Sequence, residues 1–79
     1  MSKKMIRQVE MVNVTDNHSK VWLASLYDNG DVKCEWGRIG NTLQSKTFEG
    51  VGLEYLNKKI DEKLKKNYTI DSDDTVTPH

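Results

Sequence analysis

The stretch whose residue types and spacing could do chemistry is Trp36-Gly37-Arg38-Ile39-Gly40, with Gln44-Ser45-Lys46-Thr47-Phe48 close behind it. The tryptophan offers a flat ring that can stack on a base or a sugar. The arginine two residues on carries a planar fork that can grip a phosphate bidentately. Gly37 between them permits a bend or a close backbone approach. Lys46 would add a second positive charge from the neighbouring segment. A plain structural alternative stands beside this reading. Trp36 would then continue an apolar strand face as core, and Arg38 would pair with Glu35 or Glu49 at the surface. Lys20, Lys33 and Arg38 could form a basic patch, or simply be a solvated face.

Other chemistries lack their residues. Cys34, His18 and His79 share no metal-ligand spacing, so no metal site is expected. There is neither a phosphate loop nor a dinucleotide fingerprint, so no cofactor is expected. Cys34 as a nucleophile would need a positioned base such as His18, and it reads more simply as core between Val32 and Trp36. Asp61 and Glu62 are adjacent on a helix and point in different directions, so they do not make an acid/base pair. The chain is expected to be non-enzymatic, with no small-molecule substrate.

The elements that must position these residues follow from periodicity. Met5 to Val14 is rich in β-branched residues and predicts a strand. A polar turn, Thr15 to Ser19, leads to a second strand from Lys20 to Tyr27. That strand is apolar on both faces, Val21, Leu23 and Tyr27 on one and Trp22, Ala24 and Leu26 on the other, so it should be central and covered on both sides. Asn29-Gly30 predicts a type I′ turn into Val32–Trp36, with Val32, Cys34 and Trp36 on one face and Lys33 and Glu35 on the other. Leu43 to Phe48 predicts a fourth strand, with Gln44 and Lys46 toward water. Glu49 to Gly52 breaks the sheet pattern. From Leu53 the period becomes helical, with Leu53, Leu56, Ile60 and Leu64 on one face. Asn67 is a plausible left-handed stop, and Tyr68-Thr69-Ile70 could dock back on the sheet. The expectation is an α+β fold: a small antiparallel sheet of four to five strands with one C-terminal helix packed on one face.

Seventy-nine residues make one domain at most, burying ~60% of the surface the unfolded chain exposes. Residues 1–70 are expected to fold and 71–79 to form an acidic, disordered tail. The net charge is zero, but the tail holds three acids and no Lys or Arg, leaving 12 basic against 9 acidic residues, or +3, in the rest. Zero net charge therefore does not veto a nucleic-acid partner. With one cysteine, no signal-peptide pattern and no long apolar run, a cytoplasmic location is expected, nucleoid-associated if DNA is bound, with no membrane partner.

The sequence also resembles a known family. Trp36-Gly37-Arg38-Ile39-Gly40 is similar to the motif that names the WGR domain. Asn17-His18-Ser19-Lys20-Val21-Trp22 resembles the turn into that family's second strand, and Gln44 to Phe48 its Gln-x-x-x-Phe strand. Lys58-Lys59 through Glu62-Lys63, then Lys66-Asn67-Tyr68, resembles the end of its helix. The resemblance covers roughly Met11 to Tyr68. WGR domains stand beside the catalytic domain of DNA-dependent poly(ADP-ribose) polymerases and occur in small bacterial proteins. The resemblance implies a sheet with one helix that contacts DNA ends or nicks. Trp36 would meet a terminal sugar and Arg38 the backbone phosphate, with Asn17, Lys20, Gln44 and Lys46 as further candidates. Nothing like a transferase follows the domain, so no polymerase activity is implied. The alternative expectation is a protein-interaction or accessory domain for a partner enzyme, without DNA affinity.

Overall fold

Alternation with a period of two builds most of this molecule. The computed structural model describes residues 4–15 and 18–75. It contains β1 (Met5–Thr15), β2 (His18–Tyr27), β3 (Val32–Arg38), β4 (Gln44–Phe48), α1 (Gly52–Lys65) and β5 (Thr69–Thr75). The strands form one antiparallel sheet in the order β4-β3-β2-β1-β5, with α1 on one face.

Register decides which side chains share a face. Val9 lies opposite Ala24 and Met11 opposite Trp22; Ala24 in turn lies opposite Cys34, and Leu26 opposite Val32. These residues, with Leu56 and Ile60 of α1, form the core. Removing a Leu or Ile side chain from water is worth roughly 1.5–3 kcal/mol, so Leu56 and Ile60 hold the helix down. The helical stripe is narrower than the sequence suggests. Leu53 is 48% and Leu64 46% exposed, because they flank the contact line rather than lie on it. Strand β2 is central, but α1 covers only its Trp22–Ala24–Leu26 face. On the opposite face Val21 and Ser25 are buried while Leu23 and Tyr27 are partly exposed, and no further element among the described residues lies across them.

The turn between β2 and β3 differs from the type I′ expectation. Among the described non-glycine residues only Asn67 has positive φ, so Asn29 does not meet the I′ requirement. Instead Gly30 N–H donates to the Tyr27 carbonyl at 3.0 Å and Tyr27 N–H to the Asp31 carbonyl at 2.9 Å. Gly30 alone is left-handed, at φ 90°. This is the three-residue hairpin loop with a glycine bulge. Side-chain bonds favour it: Asp31 N–H donates to Asn29 Oδ1 at 3.1 Å, and Gly50 N–H donates to Asp31 Oδ1 at 3.1 Å.

That loop also fixes the helix start. No side chain caps α1 at Val51, but Gly52 N–H donates to the Gly30 carbonyl at 2.8 Å. A first-turn donor is thus satisfied by tertiary structure rather than by a capping residue. At the other end Asn67, at φ 69°, ends the helix as expected. Tyr68 N–H donates to the Lys63 carbonyl at 3.0 Å and Asn67 N–H to the Leu64 carbonyl at 3.3 Å, the Schellman pattern.

The expectation of a disordered tail from Asp71 does not hold for Asp71–Thr75. These residues continue β5 along β1, and Arg7 holds them there. Its guanidinium donates to both Asp73 carboxylate oxygens, at 2.9 and 2.7 Å, and to Asn57 Oδ1 of α1 at 3.2 Å. Composition alone suggested a solvated segment, whereas a bidentate ion pair and backbone ladder order it. Residues 76–79 lie outside the described region.

Candidate functional site

Strand β3 presents Trp36 and Arg38 two residues apart, hence on the same face. Trp22 lies opposite Trp36 and Lys20 opposite Arg38 across β2. On the other side Gln44 lies opposite Trp36 and Lys46 opposite Cys34 across β4. Five of the six sequence candidates, Trp36, Arg38, Lys20, Gln44 and Lys46, therefore share the sheet face on which α1 packs. The sixth, Asn17, lies outside the described residues. Lys33 does not join the patch: it lies opposite Ser25 and Thr47, on the other face.

Local bonds hold the motif in place. Ile39 N–H donates to the Ser19 carbonyl at 2.8 Å and Asn41 N–H to the Arg38 carbonyl at 3.1 Å. A Cβ added at Gly37 would stand 3.1 Å from Leu43 Cδ2, so the absence of a side chain lets Leu43 close over the strand. Arg38 is exposed and has no ion pair among the described residues. The surface pairing with Glu35 is not made, because Glu35 lies opposite Leu23 and Ser45, on the reverse face. Trp36 is half-buried, packed against the core cluster without entering it.

Beside Trp36 the helix and sheet diverge to leave a cleft of 210 Å³. Its sheet side is Trp22, Cys34, Trp36 and Phe48. Its helix side is Tyr55, Lys59, Glu62, Lys63 and Lys66. The Phe48 and Tyr55 rings meet at 5.0 Å, tilted by 40°. Lysine ammonium groups lie over these rings: Lys46 at 5.1 Å from Phe48, Lys59 at 5.5 Å from Tyr55, Lys63 at 5.9 Å from Trp22 and 5.2 Å from Tyr68. Such cation–π contacts favour the charged form modestly.

The charges in the cleft are unequal. Lys59 donates to Glu62 Oε2 at 3.2 Å, and that bond raises its pKa. Burial lowers the pKa of Lys63, helped by the nearby charges of Lys66 and Lys59. Burial pushes the Cys34 thiol up, against the opposing pull of Lys59 and Lys63, so Cys34 sits there as a protonated core residue. The sequence reading missed the helix side of the cleft. Its signal was present: Tyr55, Lys59, Glu62, Lys63 and Lys66 recur at helical spacing, one stripe round from Leu56 and Ile60.

Three of the chain's 12 acidic residues lie at the far edge of the sheet. Asp71, Asp73 and Asp74 belong to β5, at the opposite sheet edge from β4. Four strand spacings of ~4.8 Å put about 19 Å between those edges, beyond the Debye length of about 8 Å at physiological salt. The three acids of β5 are thus screened from the β4 edge.

Among the described residues no group of three or more His, Cys, Asp or Glu could hold a metal ion, and no helix is long and apolar enough to cross a membrane. The chain matches no protein-family model, no curated protein and no solved structure.

Proposed function

We propose that this chain is a non-enzymatic, WGR-like nucleic-acid-binding module that engages DNA ends or nicks through Trp36 and Arg38. The observation that carries the reading is the exposed Arg38, without an ion pair among the described residues, standing on one sheet face with Lys20, Lys46, Gln44 and the half-buried Trp36. An arginine guanidinium left free of intramolecular carboxylates keeps all its donors for a phosphate. The ring of Trp36 supplies a sequence-tolerant stacking or packing surface beside it. Lys20 and Lys46 flank the pair and would track the backbone.

The test is fluorescence anisotropy of a 5′-phosphorylated blunt duplex titrated with protein at about 50 and 200 mM salt. Three cations, Arg38, Lys20 and Lys46, give a logarithmic salt slope near −2.7 and an affinity loss of about 40-fold over that range. Affinity should fall further when the 5′ phosphate is removed. Absence of binding at low salt by folded protein would overturn the reading and favour an accessory domain that docks a partner protein.

A further inference from the structure

We propose that the cleft between α1 and the sheet is a binding site for a single planar heteroaromatic ring linked through a sugar to one phosphomonoester, as in a pyrimidine mononucleotide. The inference shares Trp36 with the proposed duplex contact but does not rest on it, since neither Arg38 nor Lys20 lines the cleft.

Size comes first. At 210 Å³ the cleft is smaller than the ~300–1,000 Å³ of pockets that enclose drug-sized ligands. It admits one ring system and leaves any charged substituent at the mouth. The walls suit a ring. Trp22, at 3% exposure, and Cys34, at 4%, form a buried floor, with the Lys63 ammonium 5.9 Å from the Trp22 ring at its edge. Trp36 and Tyr55 flank it from sheet and helix.

The mouth suits an anion. Glu62 on the rim is already neutralised by Lys59 at 3.2 Å. Lys63 and Lys66 have no carboxylate within ion-pair distance among the described residues. Lys63 is half-buried, and its charged form is disfavoured by that burial and by Lys66 and Lys59. A dianionic phosphate between Lys63 and Lys66 would relieve the crowding of like charges and strengthen charge-assisted bonds at a partly desolvated position. A cationic ligand is disfavoured, because ammonium groups already stand over the Trp22, Tyr55 and Tyr68 rings. The same chemistry could arrive as a free mononucleotide or as the 5′-terminal nucleotide of a single strand.

Both tryptophans of the chain line the cleft, so intrinsic fluorescence reads its occupancy directly. Uridine 5′-monophosphate should quench it saturably, with a midpoint on the order of 0.1–1 mM. Uridine and inorganic phosphate should each need at least about ten-fold more. Lys66→Gln, at an exposed position where folding is not at risk, should weaken the midpoint about five-fold or more, and Lys63→Gln likewise. Arg38→Gln should leave it within about two-fold. A 5′-phosphorylated tetranucleotide separates the sources. Binding about ten-fold tighter than the mononucleotide, with the same loss in Lys66→Gln, assigns the site to strand ends. Equal binding assigns it to the free ligand. No saturable change below about 10 mM, or a midpoint unmoved in both lysine variants, would overturn the inference.

Discussion

Replacing Arg38 by glutamine separates folding from binding in one experiment. The side chain is exposed and makes no ion pair among the described residues, so unfolding free energy should change by no more than ~0.5 kcal/mol. Its proposed contact to phosphate is charge-assisted and worth ~1.5–3 kcal/mol, so affinity for 5′-phosphorylated duplex should fall about 10- to 150-fold. Removing one of three cations should also make the logarithmic salt slope shallower by ~0.9. Lys33→Gln is the matched control. It removes the same charge from the same strand, but on the face away from Trp36, and should leave the contact intact. Urea denaturation gives the first quantity and anisotropy at several salt concentrations the others. The reasoning is refuted if Arg38→Gln lowers stability by more than ~1 kcal/mol, or if Lys33→Gln costs as much affinity as Arg38→Gln.

Further outcomes test the scaffold. Leu56→Ala should cost ~2–5 kcal/mol by opening a cavity under α1, whereas Leu53→Ala should cost ~0.5 kcal/mol or less; equal losses in urea denaturation would contradict the placement of the helix. Asn67→Gly should stabilise slightly and Asn67→Val should destabilise by ~1–2 kcal/mol, since only the latter strains a left-handed residue; thermal melts check this. Hydrogen bonding to Arg7 holds the Asp73 carboxyl below its ordinary pKa. A depressed folded-state pKa means the pairing stabilises fully above the ordinary value, near pH 4, and is lost as pH falls through the lower folded value. Amide protection factors in Thr69–Thr75, taken against the intrinsic rate at each pH, should therefore fall in that acid window, and Asp73→Asn should flatten the dependence.

How much of this was legible in the sequence depends on the range of the interactions involved. Period-two alternation in Lys20–Tyr27 and Val32–Trp36 is a local signal, and it places Trp22, Ala24 and Leu26 on one face of their strand and Val32, Cys34 and Trp36 on one face of theirs. Asn67 as a helix stop is equally local, because few other residues tolerate its backbone angle. The Asn-Gly pair favours a type I′ turn in isolation, whereas the loop is shaped by bonds from Gly50 and Gly52 to Asp31 and Gly30, which come from the segment after β4, 19 residues or more along the chain. The acidic segment Asp71–Thr75 looked solvated because its stabilising partner, Arg7, is 66 residues away. The helix wall of the cleft was obscured by four leucine and isoleucine residues at helical spacing, of which only Leu56 and Ile60 are buried. Register across three strands, which gathers Lys20, Arg38 and Gln44 around Trp36, could be inferred only once the pairing was known.

The most direct test of the central claim is to map the duplex contact by ¹⁵N-edited NMR of the whole chain, with and without 5′-phosphorylated DNA. The largest shifts are expected at the Trp36 indole, the Arg38 guanidinium, and the amides of Gln44 and Lys46, with Lys33, Glu35 and Thr47 of the reverse face unmoved. Shifts centred on that reverse face, or none at saturating DNA, would contradict the account.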